Sequence, residues 1–245
     1  MNRLKTLKQT AKLCGWWPVA KLVSAKILGK KSIAMKIQDL DYPVELRLNN
    51  SDLVIFLGTF LHGDSDLKGR LHPATIFDLG ANIGITALQF HRQFPLAKIV
   101  AVEPDPGNFC LLQKNTQRIR NILPLWGVAS HLQAHFVQTN PEDLAMAFQF
   151  IPASSASGKE IPGFTIADLI EQNKIQPPLL IKMDIEGAER DIFQNHKNWL
   201  KYTSGVLVEA HGVGTADLIV KILTQEGFRT EQIGEKIFGL RPQAT

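Results

Sequence analysis

The sequence predicts an α/β fold: a mostly parallel sheet covered by helices, preceded by an N-terminal helical and β-hairpin extension. Three observations carry this. From residue 75 onward, short apolar runs alternate with stretches whose apolar residues recur at helical spacing. The first run enters a glycine-containing turn that opens a helix, the layout that places a ligand at the carboxyl edge of a parallel sheet. With 245 residues, 44% hydrophobic and 20% charged, the chain has the size and composition of one large folded domain with added elements.

In chain order, residues 3–28 read as one or two helices, interrupted near Pro18. "SIAMKIQDLDYPVELRL" alternates on both sides of Asp41-Tyr42-Pro43, as a hairpin does. Residues 1–70 are assigned to this extension and 71–245 to the α/β domain. The strands of the domain are "TIFDL" (75–79), "KIVAV" (98–102), "ILPLWGV" (122–128), "PLLIKM" (178–183) and "GVLVEA" (205–210), followed by the shorter "GFRT" and "KIFGL". "IGITALQFHRQF" and "GAERDIFQNHKNWL" space their apolar residues for helices that cover the sheet. Residues 130–164 are less regular. "PASSASGKEIPG" is a polar loop of small residues, either a surface excursion or, over 140–164, a lid beside a site.

The net charge of +4 is unevenly spread: residues 1–36 carry nine Lys or Arg and no acid, while acids outnumber bases in the remainder. The arm reads either as a helix with solvated lysines or as a contact for an anionic membrane surface or polyanion, helped by Trp16 and Trp17. Lys12 and Lys21 confine its apolar core to a few residues, too few for a signal peptide. The apolar stretches fall short of the ~20 residues that span a bilayer. Cys14 and Cys110 match no metal spacing, so a cytoplasmic location, with peripheral membrane contact as an option, is the expectation.

The turn "DLGANIG" puts Asn82 where a dinucleotide fingerprint has its middle glycine, and Asp78 beside the binding turn. Gly80 and Gly84 allow a tight turn and close backbone approach. A carboxylate there repels pyrophosphate and favours an ammonium or sulfonium, and S-adenosylmethionine carries both cations. Glu103 ends the second strand in "VAVEPDPGNF", at the interval from which an acid accepts hydrogen bonds from ribose hydroxyls.

"FDLGANIGITAL", "VAVEPDPGNF", "LIKMDIEGAERDIF" and "VLVEAHG" resemble the FkbM family of S-adenosylmethionine-dependent methyltransferases over roughly residues 75–212. The resemblance implies the Rossmann-like class I methyltransferase fold: a mostly parallel seven-stranded sheet whose last strand is antiparallel. It implies that Asp78, Gly80, Asn82 and Gly84 surround the methionyl part of the cofactor and that Glu103 holds its ribose. The adenine would lie near Trp126 to Ala129.

Strand alternation puts Lys182 and Asp184 on one side at a strand's carboxyl end, with Glu186 and Glu189 following; Glu189 also suits helix capping. Glu209 and His211 end the neighbouring strand, and His211 is a candidate general base for a hydroxyl. The catalytic candidates are therefore Asp184, Glu186, Lys182 and His211. No metal ligand is assigned, although Asp184, Glu186, Glu209 and His211 could hold Mg²⁺ as readily as sugar hydroxyls.

"KMDIEG" stands where base-amine methyltransferases carry an Asn/Asp-Pro-Pro-aromatic turn, and the acidic body suits a polyanion poorly, so no nucleic-acid partner is expected. The acceptor is instead a hydroxyl on a sugar, glycan or polyketide-like small molecule. The competing assignments are an RNA or protein methyltransferase, a non-catalytic membrane-surface module that retains the fold, and an NAD-dependent oxidoreductase.

Overall fold

The computed structural model describes Ala11 and residues 15–37, 40, 42–63, 65–139, 150–153, 159–175, 177–195 and 197–242. Helix α1 (Trp16–Ile27) leads into the hairpin β1 (Ser32–Lys36) and β2 (Pro43–Arg47), then α2 (Asp52–Leu57) with a π turn at Gly58–His62. Pro18 falls in the first turn of α1, where no helical hydrogen bond is lost, so it opens the helix and does not interrupt it. Residues 3–10 and 12–14 of the predicted helical stretch, Gln38, Asp39 and Asp41 of the hairpin, and residues 140–149 and 154–158 of the predicted loop lie outside the described residues.

The α/β part begins with β3 (Thr75–Leu79), α3 (Ile85–Gln93), β4 (Lys98–Glu103), α4 (Pro106–Thr116) and β5 (Ile122–Trp126). After the excursion come α5 (Ile166–Gln172), β10 (Leu179–Met183), α6 (Glu189–Gln194), β11 (Thr203–Glu209), α7 (Thr215–Gln225), β12 (Arg229–Ile233) and β13 (Lys236–Leu240). Seven strands form one sheet in the order β12-β13-β11-β10-β3-β4-β5. β13 alone runs antiparallel to its neighbours, β11 and β12. Chain order reverses between β3 and β10, the switch point where open α/β sheets bind ligands.

All residues of β3 and β10 are buried because helices cover both faces of the sheet. One core cluster joins α3 to the extension, with Val44, Leu46, Phe56 and Leu67 packed with Ile76, Ile83 and Phe90. The cluster on the opposite face gathers Phe77, Leu79, Ile181, Phe193, Trp199 and Leu223. Extension and sheet therefore share a core.

The described residues between 128 and 164 hold more regular structure than the sequence suggests. β6 (Val128–Ala129), β7 (His135–Gln138), β8 (Phe150–Pro152) and β9 (Ile161–Phe164) make a second sheet in the order β6-β9-β7-β8. "ILPLWGV" is split at Gly127 into β5 and β6, and Phe164 of β9 packs where a side chain at 127 would stand.

Candidate active site

The switch point opens into a cleft of about 930 Å³. One side of it is built by the turn after β3. Gly80 has φ +76°, and any side chain there would run into the Asp184 carbonyl, so glycine alone lets the ends of β3 and β10 close together. Asn82 has φ +50°; its backbone N–H donates to Glu103 Oε2 at 2.8 Å, and its side-chain Oδ1 is buried without a partner among the described residues. Glu103 also accepts at Oε1 from the Asp105 N–H at 3.0 Å and from Asn108 Nδ2 at 3.2 Å. Burial outweighs these hydrogen bonds and raises its pKa to about 7.

Asp78 does not stand in the cleft wall. Parallel register sets it opposite Lys182, whose ammonium lies 3.1 Å from the Asp78 carboxylate. Lys182 also donates to the Gly80 carbonyl at 2.8 Å, and both side chains are buried. Burial pushes the Asp78 pKa up while Lys182 pulls it down, with a net upward shift. Negative charge facing the cleft comes instead from Glu103, Asp184, Glu186, Asp191, Glu209 and Glu235. Gly84, at φ +89°, lets α3 pack against Leu112 and Thr116 of α4 and lies outside the cleft lining. Trp126 is likewise outside it: the indole donates to the Pro104 carbonyl at 2.8 Å and its ring stacks under Lys159. Val128, Ala129 and Ser130 line that wall instead.

The other side gathers the ends of β10 and β11. Glu189 is fully buried and organises it: Oε1 accepts from the Ile185 N–H at 2.9 Å and faces His211 Nδ1 at 3.0 Å, and Oε2 accepts from the Gly187 N–H at 3.0 Å. A carboxylate only accepts, so Nδ1 carries the proton in this pair. His211 Nε2 then faces Glu186 at 3.7 Å, and Asp184 and Glu209 each at 4.0 Å. The Glu189 hydrogen bond, opposed by burial, raises the His211 pKa to about 9. At neutral pH His211 is thus an imidazolium, ill suited to take a proton. Glu186 lines the cleft at φ +56°, a conformation that costs a non-glycine residue roughly 1–3 kcal/mol. Burial raises its pKa to about 7 against the opposing pull of His211.

Donor atoms of Asp184, Glu186 and His211 lie within 4.8 Å of one another, a set that suits a cation or the hydroxyls of a polyol. Lys236 offsets part of the acidity, at 3.2 Å from Glu209.

Two contributions carry no sequence motif. Val54, Ile55, Leu57 and Thr59 of α2 and the following π turn line the cleft, as do Phe136, Phe150 and Ile151 of the second sheet. In addition, Arg47 forms a bidentate pair with buried Asp52 and donates to Asn108 Oδ1 at 2.7 Å, tying the hairpin to a Glu103 partner.

The chain is 28% identical over 179 residues to the hexuronic acid methyltransferase AglP of Haloferax volcanii, covering 70% of this chain and 72% of that protein. It is 26% identical to methyltransferase 1 of Beauveria bassiana, covering 62% and 71% of the two chains. A crystal structure of methyltransferase FkbM from Methylobacillus flagellatus KT matches 68% of this chain and 43% of its own length, with 19% identity and a TM-score of 0.48. The model of the methyltransferase FkbM domain matches residues 78–230. That match spans more than half of the sequence and includes the turn after β3, Glu103, Asp184, Glu186 and His211, so the protein is a methyltransferase belonging to the FkbM family.

Proposed function

We propose that the protein transfers the methyl group of S-adenosylmethionine to a hydroxyl of a sugar or glycan. One observation carries this assignment: a single cleft joins a donor side, with Glu103 and a partnerless Asn82 Oδ1, to an acceptor side rich in hydrogen-bonding acids. Glu103 accepts from the ribose. Asn82 Oδ1 is an acceptor suited to the methionyl ammonium, and the acids around the cleft favour a sulfonium over a phosphorylated ligand. Asp78 and Lys182 serve as a neutral strut, which holds the β3 turn against β10. The relation to a hexuronic acid methyltransferase supports a sugar acceptor.

Methyl transfer is an in-line displacement, so positioning supplies most of the acceleration. S-adenosylmethionine would supply the methyl group, its carbon–sulfur bond breaking as the acceptor oxygen bonds to the methyl carbon and a neutral thioether leaving. The hydroxyl proton passes to the Glu186 carboxylate. Asp184 and Glu209 orient neighbouring hydroxyls, and the His211 imidazolium, held by Glu189, keeps Glu186 able to ionise near neutral pH. Glu186→Gln should lower kcat about 100-fold or more, with donor affinity changed less than twofold, measured with labelled donor and a panel of neutral and uronic glycans. A chelator should leave the rate unchanged. Undiminished turnover in Glu186→Gln removes it as the base; chelator-sensitive turnover restored by Mg²⁺ reassigns Asp184, Glu186 and His211 to metal ligation.

A further inference from the structure

We propose that helix α1 docks the protein on an anionic membrane surface, lying in the plane of the interface with Trp16, Ala20, Val23 and Ile27 inserted. The helix carries two apolar stripes. Val19, Leu22 and Ala25 are buried and seat it on the protein, Leu22 within the main core. The second stripe, at spacing i, i+4, i+7, i+11, faces outward: Trp16 is 68%, Val23 43% and Ile27 79% exposed, and Ala20 is also exposed. Trp17 and Leu28, 75% and 71% exposed, widen it. One seated stripe accounts for packing; a second apolar stripe with two tryptophans needs another apolar phase to cover it.

Charge selects the occupant. Lys21, Lys30 and Lys31 are exposed beside the stripe, and residues 1–36 contain nine Lys or Arg and no acid. Anionic headgroups complement such a rim, each nearby basic side chain adding to the attraction, and tryptophan favours the depth between headgroups and acyl chains. A second copy of the same helix would set lysine against lysine. At 12 residues α1 is too short to span a bilayer, and no described helix is long and apolar enough to cross one. It therefore binds in the interfacial plane.

The test is flotation of the full chain with vesicles of phosphatidylcholine alone and with about a third phosphatidylserine, at low and high salt, alongside light scattering of the free protein. Wild type should float with the anionic vesicles at low salt and be released by high salt. Trp16→Ser/Trp17→Ser/Ile27→Ser should reduce binding at least tenfold, and Lys30→Glu/Lys31→Glu should abolish the preference for phosphatidylserine; thermal melts unchanged from wild type confirm the folds. No flotation at low salt, or equal flotation of both variants, overturns the proposal. So does a dimer in light scattering that the triple variant dissolves, which would make a second copy the occupant.

Discussion

Glu103 accepts from three donors on two separate stretches of chain, Asn82 on one side and Asp105 with Asn108 on the other. These donors fix the carboxylate while leaving it facing the cleft. Glu103→Ala should weaken donor binding at least tenfold, about 1.4 kcal/mol, by calorimetry; unchanged affinity would dissociate Glu103 from the ribose. The raised pKa values of Glu103 and Glu186, both about 7, and of His211, about 9, share one sign. Each group holds its proton more tightly folded than unfolded, so its stabilisation is complete below its unfolded pKa and is lost as pH rises through the folded one. Stability of the unliganded protein should therefore decline from about pH 4.5 to 7 through the two acids and from about 6.5 to 9 through His211. In urea denaturation, His211→Asn should flatten the second decline; a second decline as steep as in wild type would remove His211 as its source.

The hairpin acts on the donor side through β2. Arg47 satisfies Asp52, which is fully buried, with two parallel hydrogen bonds of 2.9 and 2.8 Å, and its second contact reaches Asn108. Removing the guanidinium would strand a buried carboxylate and release the side chain that carries one of Glu103's donors. Arg47→Met should cost about 3 kcal/mol of stability in denaturant melts and weaken donor binding severalfold, although Arg47 does not line the cleft. A loss of stability with donor affinity intact would confine Arg47 to a structural role. Gly80 shows the same coupling along the strands: its missing side chain lets β3 meet the Asp184 carbonyl, so the donor and acceptor sides share one backbone contact.

Across the chain, the extension supplies Val44, Leu46, Phe56 and Leu67 to the core that holds Ile76, Ile83 and Phe90, and α2 supplies one wall of the cleft. A chain beginning at residue 71 would expose that apolar face to water. It should show no cooperative thermal transition by circular dichroism and should bind a hydrophobic dye. A cooperative melt together with retained donor binding would show the α/β part to be self-sufficient.

The sequence by itself determined the seven strands of the main sheet, the donor turn, and the acids and histidine at the strand ends. Hydrophobic period and glycine position are local properties, and the motifs are contiguous. It missed the second sheet because β6 to β9 are two to four residues long, below the length at which alternation registers. Only the tertiary structure decided the charge states. Parallel register set Lys182 across from Asp78 and removed that carboxylate from the cleft, while Glu189, reaching from α6 to the end of β11, raised the pKa of His211 to about 9, which is why Glu186 is the base we propose. Burial and through-space partners govern ionisation, and neither is written in the spacing of residues along a chain.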